Sequence, residues 1–166
     1  MTYNLLTIKG VLIVLEKNPK WKGNITSLAK LKFFIFRKFL VAGKKLSLNY
    51  IKHSIIRRRF RDPRVHFALN CGSTSCPFLP NKLFQAESLD KCLNNLAKFF
   101  INSGNVRIDE KTKTVYLSRI FKWYKRDFAT AGRLQQFINK YWKKDAIDFT
   151  KLKIKFKDYD WSLNTQ

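Results

Sequence analysis

The sequence predicts a single domain of the α+β class, with helices around a small antiparallel sheet. Its 166 residues suffice for one hydrophobic core, and 45% of them are hydrophobic. Patterns of helical periodicity and short strand-like runs both occur, but they do not alternate strictly along the chain. An irregular order of helices and hairpins is typical of α+β folds.

The first part of the chain predicts a helix followed by a β-rich segment. Residues 3–17 carry a broad apolar face, and the helix is expected to stop at Asn18-Pro19. The apolar and aromatic residues of 33–41 favour strands, with a turn near Gly43.

A second helix is expected to begin after Ser47, which is a suitable N-cap. Apolar residues recur at helical spacing over 48–55. The helix should end before Arg61-Asp62-Pro63, because the residue before a proline resists the α conformation. Residues 65–69 then predict a short buried strand.

The second half of the chain predicts two further helices, a short aromatic helix, a hairpin and a last strand. Ser88 is the expected cap of the next helix, and Cys92 lies on its apolar stripe, which indicates a core position. The remaining predicted elements are a hairpin over 106–108 and 115–117, a short helix after Ser118, a helix over 132–143 and a strand over 152–156.

The charge of the chain is strongly positive, with 34 Lys and Arg against 11 Asp and Glu. A net charge of +23 attracts nucleic acids, anionic lipids and acidic partners. The tightest basic cluster, which we predict to bind anions, consists of Arg57, Arg58, Arg59 and Arg61. The alternative is a compositional bias, because the lysines occur beside many Ile, Asn and Phe residues.

The sequence has no apolar stretch of the roughly 20 residues that a membrane-spanning helix requires. The start of the chain lacks the basic residues of a signal peptide, so we expect a soluble cytoplasmic protein. Secretion stays open if the true N-terminus lies upstream. Three cysteines are also too few for a disulfide-stapled secreted scaffold.

Thiol and imidazole groups are concentrated in one short stretch that contains His66, Cys71 and Cys76. A cysteine becomes a nucleophile when an imidazolium or nearby cations favour its thiolate. We therefore predict a site with Cys71 or Cys76 as nucleophile and His66 as base. Either Asn70 or Asp127 would orient the imidazole.

The same residues also fit structural roles. Cys71 and Cys76 could close a small loop as a disulfide, although cytoplasmic conditions favour thiols. They could equally be buried as free thiols. A zinc site would normally show two cysteine or histidine pairs, whereas only one pair is present here. We therefore predict no metal and no cofactor.

Four segments of the chain resemble the DUF547 family, whose function is unassigned. The strongest is Asp62-Pro63-Arg64-Val65-His66-Phe67-Ala68-Leu69-Asn70-Cys71 with Ser75-Cys76-Pro77. The others are Leu48-Asn49-Tyr50-Ile51-Lys52-His53, the block Ser118-Arg119-Ile120-Phe121-Lys122-Trp123-Tyr124 with Asp127-Phe128, and Tyr159-Asp160-Trp161-Ser162-Leu163-Asn164. Family members usually carry further sequence before Tyr3, so we expect a shortened or mis-started N-terminus.

The resemblance implies a relationship to papain-like and transglutaminase-like cysteine hydrolases. In those enzymes the nucleophilic cysteine heads a helix and the histidine lies on a following strand. Here His66 fits the strand role, but Asn4 and not a cysteine is nearest to the helix position. The resemblance places a pocket around the cysteine turn, and its expected lining residues are Asn4, His53, Arg64, Trp123 and Tyr124.

Together these observations lead to two hypotheses about function. The first is a cysteine-type hydrolase or acyltransferase that uses a Cys/His site on a peptide-like substrate. The second is a non-catalytic domain with a structural cysteine corner. Such a domain would bind a protein partner, or bind nucleic acid or an anionic surface without sequence preference.

Overall fold

The computed structural model describes residues 2–80, 83–129 and 133–165. By its contacts the chain divides into two compact units. Unit 1 comprises 1–61, 69–83 and 160–166, and unit 2 comprises 62–68 and 84–159. Helices and strands both contribute to the fold, so the predicted α+β class is confirmed. The single-domain organisation and the papain-like core stay predictions.

Unit 1 begins with the long helix α1, which is followed by a helix with an α and a π segment and then by a hairpin. Strands β1 and β2 pair antiparallel, with Phe39 opposite Leu46. The first elements of the unit are α1 (Thr2–Lys17), α2 (Ser27–Lys30), a π-helical segment (Leu31–Phe36), β1 (Lys38–Val41) and β2 (Lys44–Ser47).

The second helical stretch of unit 1 follows directly from the hairpin. It comprises α3 (Leu48–Tyr50), a π-helical segment (Ile51–Arg57) and α4 (Arg58–Phe60). The Oγ of Ser47 accepts a hydrogen bond from the backbone N–H of Tyr50 at 3.1 Å, which confirms Ser47 as the N-cap. The helix ends at Arg61, which adopts a left-handed conformation with φ 49°.

Two strands predicted from aromatic and β-branched residues are helical instead. The segment 33–36 continues the turn begun at α2, because Thr26 caps that helix and Phe33 is buried against Trp21. Residues 65–67 belong to a 3₁₀ helix (Pro63–Phe67), because the Asp62 side chain caps its first turn. Local capping and tertiary packing thus outweigh β propensity at both places.

Unit 2 contains most of the remaining secondary structure. Helix α5 continues into Ile101–Asn105, where Gly104 adopts φ 79° and ends the helical path. The predicted helix start at Gly132 lies outside the described residues. The elements after Pro63–Phe67 are Ala86–Ser88 (3₁₀), α5 (Leu89–Phe100), β3 (Val106–Asp109), β4 (Thr114–Leu117), α6 (Arg119–Trp123), α7 (Lys125–Ala129), α8 (Leu134–Tyr141), Phe149–Lys151 (3₁₀) and β5 (Lys153–Phe156).

The sheet of unit 2 is mixed, whereas a purely antiparallel sheet was expected. Strands β3 and β4 form the predicted antiparallel hairpin, with Val106 opposite Leu117. Strand β5 pairs parallel to β4, with Thr114 opposite Lys153. A parallel pairing requires a long crossover, and the helical segment between Leu117 and Lys153 supplies it.

Two details of helix α5 differ from the prediction. Cys92, predicted to lie in the core, is half-buried, and the Ser88 side chain does not cap α5. None of the described helices is long and apolar enough to cross a bilayer.

Each unit has its own apolar core. The core of unit 2 is built around Phe67, Phe100, Phe121, Phe128 and Phe137, and that of unit 1 around Tyr3, Phe33, Phe39, Leu48 and Ile51.

Candidate functional site

His66 and Asp127 form a close pair inside unit 2. The Nε2 of His66 lies 2.7 Å from the Oδ2 of Asp127, and the His66 side chain is fully buried. The imidazole also stacks on the ring of Tyr124, with the two centroids 3.7 Å apart. Asp127, one of the two orienting groups considered from sequence, contacts the imidazole.

Two short helices hold this pair in place. His66 lies on the 3₁₀ helix Pro63–Phe67, and its neighbour Phe67 stacks on Phe100 of the core at 4.7 Å. Asp127 lies on α7, whose residue Phe128 is fully buried. Each polar side chain is therefore adjacent to a buried phenylalanine that anchors its backbone.

A carboxylate beside one ring nitrogen gives an imidazole a defined chemical role. Asp127 accepts a hydrogen bond from Nε2 and thereby fixes the orientation of the ring. A proton accepted from a reacting group would then enter through Nδ1. The same geometry is also that of a buried structural ion pair.

Arg64, predicted to line a pocket, is the centre of a polar network that joins the 3₁₀ helix to α5. Its guanidinium contacts Asp62 at 2.6 Å, Asp90 at 2.7 Å and the Oδ1 of Asn94 at 2.9 Å. The Tyr141 hydroxyl donates to the same Asn94 oxygen at 2.7 Å. Arg64 is therefore neutralised by two carboxylates and serves as an anchor of the 3₁₀ helix.

The titration of Asp62 and Arg64 reflects this network. Burial alone would raise the pKa of Asp62, but the hydrogen bonds and positive charge of Arg64 outweigh it, and the pKa lies below 3.8. The hydrogen bond to Asp62 raises the pKa of Arg64; burial opposes this, and Asp90 adds to the increase. Both groups thus stay charged at neutral pH.

The two cysteines of the predicted site form a disulfide within unit 1. Cys71 and Cys76 are bonded, with their Cα atoms 6.2 Å apart. The side chain of Asn70 stabilises the turn, because its Nδ2 donates to Pro77 O at 2.7 Å and its Oδ1 accepts from Gly72 N at 2.7 Å. In this state neither sulfur is a thiolate.

Asn4 and Asn70, both predicted site residues, contact each other. The Oδ1 of Asn4, on α1, accepts a hydrogen bond from the backbone N–H of Asn70 at 3.0 Å. Asn4 is buried and uses its side chain to attach the cysteine turn to α1. This hydrogen bond therefore positions the backbone of the cysteine turn.

The C-terminal segment holds the cysteine turn from another direction. The Thr74 N–H donates to Ser162 O at 2.9 Å, and the Asn164 N–H donates to Gly72 O at 3.0 Å. The Asp160 N–H donates to the Oγ of Ser75 at 2.9 Å. Sequence reasoning missed this attachment, because the spacing between residues 72–75 and 160–164 carries no local signal.

The basic cluster lies at the end of the second helical stretch of unit 1. The Nη1 of Arg57 donates to the Nδ1 of His53 at 2.6 Å, so these two predicted site residues engage each other. Arg58, Arg59 and Arg61 are exposed. No carboxylate forms an ion pair with these three in the described part of the chain.

The remaining predicted site residue, Trp123, packs on Tyr159 with ring centroids 4.8 Å apart. Within the described ranges, no group of three or more His, Cys, Asp or Glu side chains is placed to hold a metal ion. Within unit 2, His66 contacts Asp127 and Tyr124, and Arg64 contacts its acids. Within unit 1, Cys71 is bonded to Cys76, Asn4 contacts Asn70, and His53 contacts Arg57.

No curated protein and no solved structure matches this chain. A family model does match, over residues 2–101, and its description is "Protein of unknown function, DUF547". That range contains the signature over 62–77 and the helix before it, but ends before the Ser118 block. Because the match covers more than half of the protein, the chain belongs to the DUF547 family.

Proposed function

We propose that this DUF547 domain binds polyanions through unit 1, and that its cysteine turn is a structural corner. The observation that supports this most directly is the distribution of charge between the two units. Unit 1 contains sixteen Lys and Arg but only two acids, a net charge of +14. Unit 2 contains eighteen Lys and Arg and nine acids, a net charge of +9.

A general lysine bias does not account for this difference. Such a bias would affect both units alike, and their numbers of basic residues are indeed similar. What differs is the number of acids. Six acids of unit 2 form ion pairs with basic residues, whereas Glu16 and Asp160 of unit 1 form none among the residues described.

The exposed arginines provide a specific contact point within this field. Arg58, Arg59 and Arg61 have no intramolecular carboxylate to compensate them in the described ranges, so their charge is available to an external anion. Phe60 lies between them and is exposed as well. Guanidinium groups bind phosphate and sulfate with paired hydrogen bonds, which makes arginine well suited to polyanions.

The experiment measures binding to heparin and to a single-stranded oligonucleotide over a range of salt concentrations. The triple variant Arg58→Gln, Arg59→Gln, Arg61→Gln should bind about 10-fold more weakly, with a salt slope reduced by up to about three. The control removes the same charge from exposed positions of unit 2, as Lys143→Gln, Lys144→Gln, Lys153→Gln.

The control should retain most of the affinity. Equal losses in both variants would mean that binding is only a response to net charge, without a site in unit 1. Absence of binding to either polyanion at low salt would contradict the proposal. A response limited to acidic proteins would instead favour a protein partner.

A second candidate is the cysteine-type hydrolase or acyltransferase predicted from sequence. The observation that favours it is the His66–Asp127 pair, which has the geometry of an oriented general base. A dithiol reductant would first convert the disulfide to two thiols and would itself be oxidised to a disulfide. Cys71 or Cys76 would then be the nucleophile, and His66 would accept its proton.

This candidate is tested by the alkylation rate of each cysteine against pH, measured by mass spectrometry after reduction. If it holds, one thiol reacts fast well below its ordinary pKa of about 8.5 and slows in His66→Ala and Asp127→Asn. Asp145→Asn, at an exposed acid of unit 2, serves as the control and should leave the rate unchanged. Uniformly slow thiols would rule out the enzymatic hypothesis.

A further inference from the structure

The first helix exposes apolar residues and buries polar ones, the reverse of an ordinary surface helix. Leu5, Ile8 and Leu12 are 56%, 41% and 60% exposed and lie at i, i+3 and i+7. We call these three residues the α1 stripe. The buried residues of the helix are Tyr3, Asn4, Thr7 and Gly10.

The contacts of the inner face prevent α1 from rotating to bury this stripe. Asn4 holds the backbone N–H of Asn70, and an exposed Asn4 would leave that group without its acceptor. Gly10 lies directly against aromatic rings, since a Cβ at that position would come within 3.1 Å of Phe33. The outward position of the stripe is therefore built into the packing of unit 1.

A second helix of unit 1 repeats the pattern. Leu28, Leu31 and Ile35 are all exposed, and they have the same i, i+3 and i+7 spacing as the α1 stripe. In both helices an exposed lysine follows the second apolar residue: Lys9 in α1 and Lys32 in the other helix. Two helices of one unit thus combine an apolar stripe with a cation.

The exposed apolar surface of the chain is concentrated in unit 1. Sixteen large apolar side chains are exposed among the described residues, and thirteen of them belong to unit 1. Unit 1 is also the unit with the larger excess of positive charge. Exposed apolar patches mark interaction sites, and the charge around a patch indicates the charge of its binding partner.

We propose that unit 1 docks on the surface of an anionic lipid bilayer by inserting the α1 stripe between the headgroups. This rests on the proposed polyanion binding and names the polyanion. Lipid acyl chains accept Leu and Ile side chains, and anionic headgroups attract the flanking lysines. A nucleic acid would match the charge, and its bases would stack on an exposed ring such as Phe60, but it offers no hydrocarbon to the aliphatic α1 stripe.

The test is flotation of the purified chain with phosphatidylcholine vesicles, with and without phosphatidylserine. The chain should float only with the anionic vesicles. The variant Leu5→Gln, Ile8→Gln, Leu12→Gln should reduce the partition coefficient by about 10-fold or more while leaving heparin binding unchanged. Glutamine is a good helix former, so the exposed substitutions should preserve the helix.

The control is Phe99→Gln with Ile154→Gln, two exposed apolar positions of unit 2. It should float like the unaltered chain, and circular dichroism should show that all variants are folded. Heparin binding without flotation would overturn the bilayer inference and leave the proposed function standing. An unaltered chain that neither binds heparin nor floats would overturn both the bilayer inference and the proposed function. Flotation unchanged in the α1 variant, or a dimer that the variant dissociates in sedimentation, would also overturn it.

Discussion

The carboxylate of Asp127 lies 2.7 Å from the Nε2 of His66, whose side chain is completely buried. Replacing Asp127 with Ala would leave a buried imidazole without this acceptor. A buried polar group that loses its partner costs about 1–3 kcal/mol. We therefore expect Asp127→Ala to lower the free energy of unfolding by about that amount in urea denaturation.

Asp127→Asn should lose less, because its amide oxygen can still accept from the ring. The control is Asp158→Ala, which removes a surface ion pair with Arg119. Exposed pairs contribute little, so this control should change the free energy of unfolding by less than about 1 kcal/mol. If both alanine variants behave alike, the burial of the His66–Asp127 pair has no energetic consequence.

The charge of Asp62 should make stability depend on pH in the acidic range. Its pKa is lower in the folded chain than the ordinary 3.8, because Arg64 outweighs the effect of burial. The stabilisation from the charge of Asp62 is therefore present above pH 3.8, the ordinary pKa. It disappears as the pH falls through the lower pKa of the folded state. Asp62→Asn, which keeps the capping oxygen, should be less stable than the unaltered chain at neutral pH by about 1 kcal/mol.

The difference in stability between Asp62→Asn and the unaltered chain should shrink toward zero as the pH falls below 3.8. Urea denaturation at each pH measures this difference. Asp145→Asn is the matched control, because Asp145 is exposed and belongs to no ion pair in the described part of the chain. A difference between Asp62→Asn and the unaltered chain that persists at the lowest pH would show that something other than the charge is responsible.

Reduction of the Cys71–Cys76 disulfide should destabilise the chain. A cross-link between residues five apart removes loop-closure entropy equivalent to about 2 kcal/mol. We expect a reductant to lower the free energy of unfolding by about this amount, measured in urea. The double variant Cys71→Ser, Cys76→Ser should show the same loss and no further response to reductant. Unchanged stability in both conditions would argue against a structural corner.

How far the sequence predicts the fold depends on whether the signal is local. The Ser47 cap and the 106–117 hairpin were correct because each depends on residues adjacent in the chain. Residues 33–36 and 65–67 were assigned the wrong structure, because their β propensity yields to a cap and to core packing. Propensity is a weak signal where burial decides the conformation.

The candidate site shows the same limit. Cys71 and Cys76 pair within one turn, a possibility that their spacing already indicated. The contact of His66 with Asp127 joins residues 61 apart, and only its chemistry pointed to it. The two acids that neutralise Arg64 and the C-terminal contacts of the cysteine turn were not predicted, because long-range contacts leave no trace in local spacing.

Gly23 supports the C-terminal segment, and substitution there should be costly. It adopts φ +111°, and a Cβ would lie 2.5 Å from Leu163 N and 2.6 Å from Trp161 O. Gly23→Ala therefore combines backbone strain with a clash against main chain, and it should lower the free energy of unfolding by about 2–4 kcal/mol in urea denaturation.

Gly43→Ala is the matched control, because Gly43 also has positive φ but nothing lies within 4 Å of a Cβ there. Its free energy of unfolding should fall by only about 1 kcal/mol. Faster amide hydrogen exchange at Leu163 and Thr74 should accompany Gly23→Ala alone. The Leu163 amide donates to Lys22 O across this contact, and the Thr74 amide donates to Ser162 O of the C-terminal segment that the clash would displace. Equal losses in the two variants would mean that the close approach of residues 161–163 does not stabilise the cysteine turn.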